Sequence, residues 1–384
     1  MSTTTDTHPD TGTPQPAAPA GPTGGARRGA GLPLRLLAVL GLVVLLAVLP
    51  LINVSVPGVL PGATYTPGTL QLMALALVFA SLALTYHVIF GVAGLLSFGH
   101  ALYLAIGAYG LGIVLERTDL GLVPAMLLTL LGGAVVALVL GAVGLRVGGI
   151  SFAMVTLAFA QAGSVLIRRN SDVTGGEEGL RLDTTNVPDA LVGVTDTRNL
   201  YWVALVLLVV VFALVTWFER SRAGHVAAAT RENELRVRVL GLRPFAVKLL
   251  AFVTGSVLAV VVGMVYLLLQ SGATPRVASA DFTLTILVIV VLGGLGSRWG
   301  AVVGGVVYTL LDQRLTTLAA SDAVESLPAV LSVPLGEPLF ILGTLFILVV
   351  LFVPGGLVGL GARLAGARTR AGRPGTPAAG EDGP

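Results

Sequence analysis

The amino-acid sequence predicts an all-α, polytopic membrane protein of about ten transmembrane helices (eight to ten), and three observations predict it. Of 384 residues, 55% are hydrophobic and only 11% are charged, with a mean hydropathy of +0.91. A soluble domain carries about a quarter charged residues, so this chain cannot cover a water-facing surface with polar groups. Apolar runs recur along most of the chain, many near the roughly 20 residues a helix needs to cross about 30 Å of hydrocarbon. The charges between those runs also sort by side.

Residues 1–33 are rich in Thr, Pro, Gly and Ala and read as a disordered tail. Arg27, Arg28 and Arg35 lead into the first apolar run, and no A-x-A site closes it, so it reads as a retained helix rather than a cleaved signal peptide. Ten apolar segments lie within a membrane domain spanning 34–360, at about 34–52, 69–90, 95–115, 122–145, 150–167, 200–218, 248–269, 282–296, 299–313 and 338–353. Ser97, His100, Tyr103 and Tyr109 dilute the third. The pair 282–296 and 299–313 is short, and reads as a tight helical hairpin, a re-entrant pair or one interrupted span. Residues 361–384 form a second disordered tail.

If all ten segments cross, the connecting loops divide into two sets. One set, with both termini, holds 16 of the 23 basic residues; the other holds 13 of the 20 acidic ones. The positive-inside rule makes the basic side cytoplasmic, and both termini with it. The outer loops are then 168–199, carrying Asp172, Glu177, Glu178, Asp183, Asp189 and Asp196; the short 270–281; and 314–337, with Asp322, Glu325, Glu337 and room for a short surface helix.

One charged cassette interrupts this apolar chain. In "ATRENELRVRVLGL" (229–242), three basic and two acidic side chains fall between Arg231 and Arg238. Thr230 is a candidate N-cap, and Gly241 with Pro244 can end the helix. Glu232 with Arg236, and Glu234 with Arg238, are i,i+4 pairs in the favourable order. Leu235, Val239 and Leu242 form one stripe. Such a helix is too short and too charged to cross a membrane, so it lies along the cytoplasmic face. Physics alone divides evenly between an interfacial helix holding lipid phosphates and a docking element for a soluble partner.

The surrounding stretch "RAGHVAAATRENELRVRVLGLRPFAVKLLAF" resembles the cytoplasmic loop of branched-chain amino acid ABC importer permeases. Four further stretches resemble that family in its order: "GVAGLLSFGHALYLAIGAY" (91–109), "FAMVTLAFAQ" with "TGGEEGL" (152–180), "VVLGGLGSRWGAVVGG" (290–305) and "LFVPGGLVGL" (351–360). Together they span most of residues 69–360, and they are most similar to the longer, M-type subunit of the Leu/Ile/Val system. The chain departs from the family's pattern at Gln161, where an acidic residue is expected, at Glu178, and at Gly355, which follows Pro354 where Arg is common.

The resemblance implies a membrane-spanning subunit of an ABC importer in the bacterial plasma membrane, translocating branched-chain or related amino acids. The loop 219–247 would couple it to the motor, through Arg231, Glu232, Asn233, Glu234 and Gly241. Its implied partners are a second permease of the same or a different sequence, two ATPase subunits, an extracytoplasmic substrate-binding protein and membrane lipid. Related permeases handle urea or short amides, and a self-sufficient secondary carrier is the alternative from another class.

Polar residues within the segments are candidates for the translocation path, because polar groups in hydrocarbon are costly and tend to mark one. They are Ser97, His100 and Tyr109 of the SFGHALYLAIGAY stretch, with Thr156 and Gln161; the apolar Phe98 beside Ser97 is a further candidate. For His100 a packing role is the stronger reading; for Gln161 a path residue and an interhelix hydrogen bond stand level. His87 reads as interfacial.

A phosphate-cradling loop needs Gly-Lys-Ser or Gly-Lys-Thr, and the sole lysine, Lys248, follows Val247. The chain is thus expected to be no enzyme and to hold no cofactor, with any ATP hydrolysed by partner subunits. With no cysteine and no H-E-x-x-H pattern, no metal site is expected. A net charge of +3 is too small to suggest nucleic acid.

Overall fold

The computed structural model describes residues 31–54, 61–192, 196–319, 336–353 and 355–359. Of the tail expected at 1–33, residues 1–30 lie outside the described residues, as do the tail at 361–384 and Asp322 and Glu325 of the last outer loop, while Gly31–Pro33 open the first helix. The chain divides after Val44, and the unit from Leu45 onward holds the helical bundle.

Twelve helices carry the apolar segments and the cassette. They are α1 (Gly31–Val48), α2 (Pro67–Tyr86), α3 (His100–Arg117), α4 (Leu122–Gly144), α5 (Ile150–Arg169), α6 (Thr197–Arg220), α7 (Arg222–Glu232), α8 (Glu234–Val239), α9 (Pro244–Gln270), α10 (Ala280–Gly293), α11 (Arg298–Ala319) and α12 (Pro338–Phe352). Proline stands in the first turn of α2, α9 and α12, where its missing N–H costs no hydrogen bond and its φ is already helical. The Ser279 hydroxyl caps α10 by accepting from the Phe282 amide at 3.3 Å. A two-stranded antiparallel ladder pairs β1 (Leu180–Arg181) with β2 (Gly272–Ala273).

Five of these helices are long and apolar enough to cross a membrane singly: α2 extended by a π-helical turn to Val92, α4, α5, α6 and α9. The pair α10–α11 passes the same test jointly and is bent by 117° at its break. This is an all-α, multi-pass membrane architecture. The short pair read from the sequence is therefore a sharply bent unit, and α11 runs on through residues 314–319, which the sequence assigns to a loop.

Burial decides which helices form the core. The most apolar stretch of α2 is 83% buried and that of α9 is 72%, against 22% for α4. Small residues at four-residue spacing explain how α4 still packs: Ala125, Thr129, Gly133, Ala137 and Gly141 make up nearly all of its buried face. A Cβ on Gly133 would come within 2.7 Å of Val260 on α9. Such a stripe lets backbones approach where no hydrophobic effect drives helices together. Between α3 and α9 the approach is closer still. A Cβ on Gly107 would lie 2.0 Å from the Val260 carbonyl, and one on Gly263 would lie 2.0 Å from that of Leu104.

The third segment differs from its expected extent. Helix α3 begins only at His100, and residues 93–99 run non-helically with Leu95, Ser97 and Gly99 buried. Gly94 turns the chain there with φ +69°, a conformation few other residues adopt without strain. Buried backbone without a helix must find partners, and here side chains supply them: the Phe98 amide donates to Thr156 Oγ1 and the Ala101 amide to Thr283 Oγ1, each at 3.0 Å.

The ends of the bundle sort the loops as the charge does. At one end the Arg117 guanidinium donates to the Asp172 carbonyl, Gln71 meets Gln270 at 3.4 Å, and the β1–β2 ladder joins the two loops read as outer. At the other end α7, α8, the turn at 91–94 and Gly296 gather around shared clefts.

Candidate functional site

The charged cassette folds as an elbow of two helices rather than one. Ser221 caps α7, its hydroxyl accepting from the Gly224 amide at 3.1 Å. Asn233 stands between the helices with extended backbone (φ −157°) and caps α8, its Oδ1 accepting from the Arg236 amide at 3.0 Å. Thr230 is therefore not the cap; it lies inside α7, with its hydroxyl turned back to the Val226 carbonyl at 2.7 Å. The break at Asn233 separates Glu232 from Arg236, so only the second expected pair forms: Arg238 Nη2 meets Glu234 Oε1 at 2.5 Å. Gly241 ends the elbow at φ +77°, in the left-handed region that its residue type favours.

Three polar ties fasten this elbow and its approach to the bundle. The Arg231 guanidinium donates to the Gly91 carbonyl at the end of the α2 extension, and its side chain fills the space over Gly94. Lys248, in the first turns of α9, meets Glu234 Oε2 at 2.5 Å. Glu219, near the end of α6, is shared: His87 Nε2 lies 2.8 Å from one carboxylate oxygen and Arg298 Nη1 lies 3.0 Å from the other. The hydrogen bond from Lys248, aided by Arg238 and opposed by partial burial, holds the Glu234 carboxyl below its ordinary value. His87, read from sequence as interfacial, is only 1% exposed. Arg298 also lies over the Phe212 ring at 5.8 Å, and Trp299 packs on Phe212 at 4.9 Å.

The apolar stripe does not pack inward. Leu235, Val239 and Leu240 are 70%, 80% and 75% exposed, and Leu242 is exposed beside them. Val237, off the expected stripe, is the residue that turns in. The elbow therefore carries charged ties on one side and a bare hydrophobic ridge on the other. Clefts of about 620 and 450 Å³ flank it, the first bounded by His87, Glu219, His225 and Arg231 and the second by Gly94, Ile150, Glu234 and Lys248.

The second group of predicted residues is placed differently. Ser97, His100, Tyr109 and Thr156 are buried among helices of this chain. His100 Nε2 and Thr85 Oγ1 are 2.8 Å apart, Tyr86 donates to the Ser97 carbonyl at 3.0 Å, and Tyr109 donates to the Ala273 carbonyl at 3.0 Å. Phe98 is half-buried and Gln161 is exposed in the middle of α5, on a face shared with Met154, Ala158 and Val165. The structure thus brings Ser97, His100 and Thr156 into one seam and leaves Gln161 apart from it. Sequence reasoning missed Glu219 as an organising residue; its signal was an acidic group just before the basic loop, among few charges.

A family model described as "Branched-chain amino acid transport system / permease component" matches residues 68–353. The chain is 28% identical over 269 residues to the high-affinity branched-chain amino acid transport system permease protein LivM of Escherichia coli, covering 63% of this chain and 62% of that protein's length. It is 24% identical over 320 residues to a probable LivM of Methanocaldococcus jannaschii, covering 72% of this chain and 89% of the other. It is 25% identical over 255 residues to the permease protein BraD of Pseudomonas aeruginosa, covering 61% and 80%.

Proposed function

The chain belongs to the family of permease components of branched-chain amino acid transport systems, and from that premise we propose that it is the membrane-spanning subunit of an ABC importer for leucine, isoleucine and valine in a bacterial plasma membrane. The basic end is cytoplasmic, the ten segments cross with both termini inside, and the acidic loops face an extracytoplasmic binding protein. A second permease completes the path, and two separate ATPase subunits supply the energy.

The observation that carries this reading is the elbow α7–α8, tied by charge to the bundle and, among the described residues, bare of apolar partners outward. An exposed hydrophobic ridge flanked by polar groups is the form of a protein-binding surface. Leu235, Val239, Leu240 and Leu242, with Glu232, Asn233 and Gly241 at its margins, would seat in the ATPase. The ties then give the push a route. Arg231 leads to the end of α2 and Glu234 leads to α9, the two most buried of the long helices, while Glu219 links α6 to α2 and α11. When ATP closes the ATPase pair, displacement of the elbow moves the helices that line the core, which is the physical content of alternating access.

The path itself we assign to the interface with the second permease, where α5 presents Gln161 beside Met154, Ala158 and Val165. An amide left in lipid would cost several kcal/mol, so this face needs protein or water opposite it. The seam at Ser97, His100 and Thr156 supports packing more than passage, since its hydroxyls and His100 Nε2 are spent on one another and on backbone.

The test is reconstitution. Vesicles holding this chain, a second permease, the ATPases and the binding protein should import leucine only with ATP. Leu235→Asp with Val239→Asp should abolish ATPase co-purification while the permease stays folded. Import by this chain alone, insensitive to ATP, would replace the reading with a secondary carrier.

A further inference from the structure

A cavity of about 250 Å³ lies where α2, α9, α10 and α11 meet, toward the acidic end, and neither the elbow nor the seam uses it. Its wall is mixed: Gln270, Thr285, Thr309 and Gln313 stand beside an aromatic patch and two charged residues. Phe79, Phe282 and Tyr308 form an aromatic floor, with Phe79 centred 5.8 Å from Phe282 and 6.4 Å from Tyr308, and Leu72 extends it. Arg276 and Asp312 bring one positive and one negative charge to the same cavity.

The placement of Asp312 needs an explanation. Helix α11 continues to Ala319, so Asp312 lies well inside it, half-buried, and not at its edge. An ionisable group inside a membrane helix is costly and marks a functional site by default. Among the described residues, neither Asp312 nor Arg276 is held in a close ion pair. Opposite charges that line one cavity without closing into an ion pair, beside an aromatic floor, match a small molecule that carries both charges and an apolar group. The volume falls below the roughly 300–1,000 Å³ of pockets for drug-sized ligands, which restricts the occupant to something small.

We propose that this cavity binds one apolar α-amino acid as its zwitterion, with the carboxylate on Arg276, the ammonium on Asp312 and the side chain against Phe79, Phe282 and Tyr308. It would be a holding site inside the permease subunit, near the end where substrate arrives. The branched-chain identity of that side chain rests on the proposed function; the zwitterion chemistry rests on the cavity alone.

The experiment uses the full-length chain in nanodiscs with labelled L-leucine, and the same variants in the assembled complex for uptake. Arg276→Gln and Asp312→Asn should each weaken leucine binding about tenfold or more, as loss of a charge-assisted hydrogen bond does, with unchanged thermal stability, and Asp312→Glu should restore part of the loss. Isocaproate, which lacks the amine, should be indifferent to Asp312→Asn, and isoamylamine, which lacks the carboxylate, to Arg276→Gln. If a variant fails to fold, the wild type decides: both mono-charged analogues should bind at least about tenfold more weakly than leucine, and equal binding overturns the proposal. A complex that imports leucine while the wild-type chain binds none, or binds it equally in both variants, overturns the cavity assignment and leaves the permease reading standing. A complex that imports no branched-chain amino acid overturns the permease reading, and leucine binding lost in both variants would still support the cavity.

Discussion

The buried seam around His100 and the elbow at Asn233 both concentrate polar groups in an apolar chain, yet they resolve them in opposite ways. In the seam, Thr85, Ser97, Thr156 and Thr283 are almost wholly buried and their bonds end on neighbouring backbone or on His100. Polar groups there replace the hydrogen bonds that residues 93–99 forgo by not being helical. At the elbow the ion pairs are partly exposed, and the apolar side chains beside them stay exposed among the described residues. A seam whose hydroxyls are taken up by its own backbone and by His100 Nε2 is scaffold. A surface that leaves a hydrophobic ridge exposed is unfinished until something covers it.

The sharpest way to break this contrast is to attack packing in the core. Gly263→Leu should abolish folded protein, because even the first carbon of the new side chain meets the Leu104 carbonyl at 2.0 Å; the expected cost is on the order of 3 kcal/mol or more. Gly132→Leu on α4 has nothing within 4 Å of its new Cβ and should leave yield and monodispersity on size-exclusion chromatography unchanged. Next comes Thr85→Val, which strips His100 of its hydroxyl partner. It should lower stability by about 1–3 kcal/mol and leave the KM for uptake unaltered, as scaffold requires. A changed KM with unchanged stability would move His100 from scaffold to path.

At the elbow the order of effects reverses. Arg231→Ala should leave thermal stability within about 1 kcal/mol, since the residue is largely exposed, but cut ATP-driven uptake roughly tenfold while ATPase co-purification persists. That would mark it as transmitting motion rather than binding the motor. Glu234→Gln is the mildest, at about 0.5 kcal/mol for a partly exposed pair. Its pH dependence carries a definite sign. The folded carboxyl is held below its ordinary value of 4.5, so the tie to Lys248 is fully present above that value and is lost as pH falls below it through the lowered one. Stability of the wild type minus that of Glu234→Gln, followed by melting temperature, should therefore be flat at neutral pH and shrink on acidification.

Much of this arrangement was legible in the sequence. The all-α class, nearly every helix and the place of the cassette follow from run length and charge, because hydrocarbon enforces both. The elbow's break was not, since Asn233 serves equally as an interior or a capping residue until the chain beyond it turns. The inward Val237 follows from that break, which rotates α8 away from the continuous stripe. The late start of α3 was hidden because residues 93–99, though diluted by Gly94, Ser97 and Gly99, continue the apolar run without a charge. Asp312 escaped for a different reason: the segment was read to end at 313, which leaves a costly residue at its border instead of inside it.

The central claim is that α7–α8 projects into the cytosol as the element the motor holds. The chain has no cysteine, so Leu235→Cys in the native background gives one addressable thiol. In intact cells that thiol should resist a membrane-impermeant maleimide, react once the cells are opened, and cross-link to the ATPase subunits in the assembled complex. Labelling from the outside of intact cells would contradict both the topology and the coupling mechanism built on it.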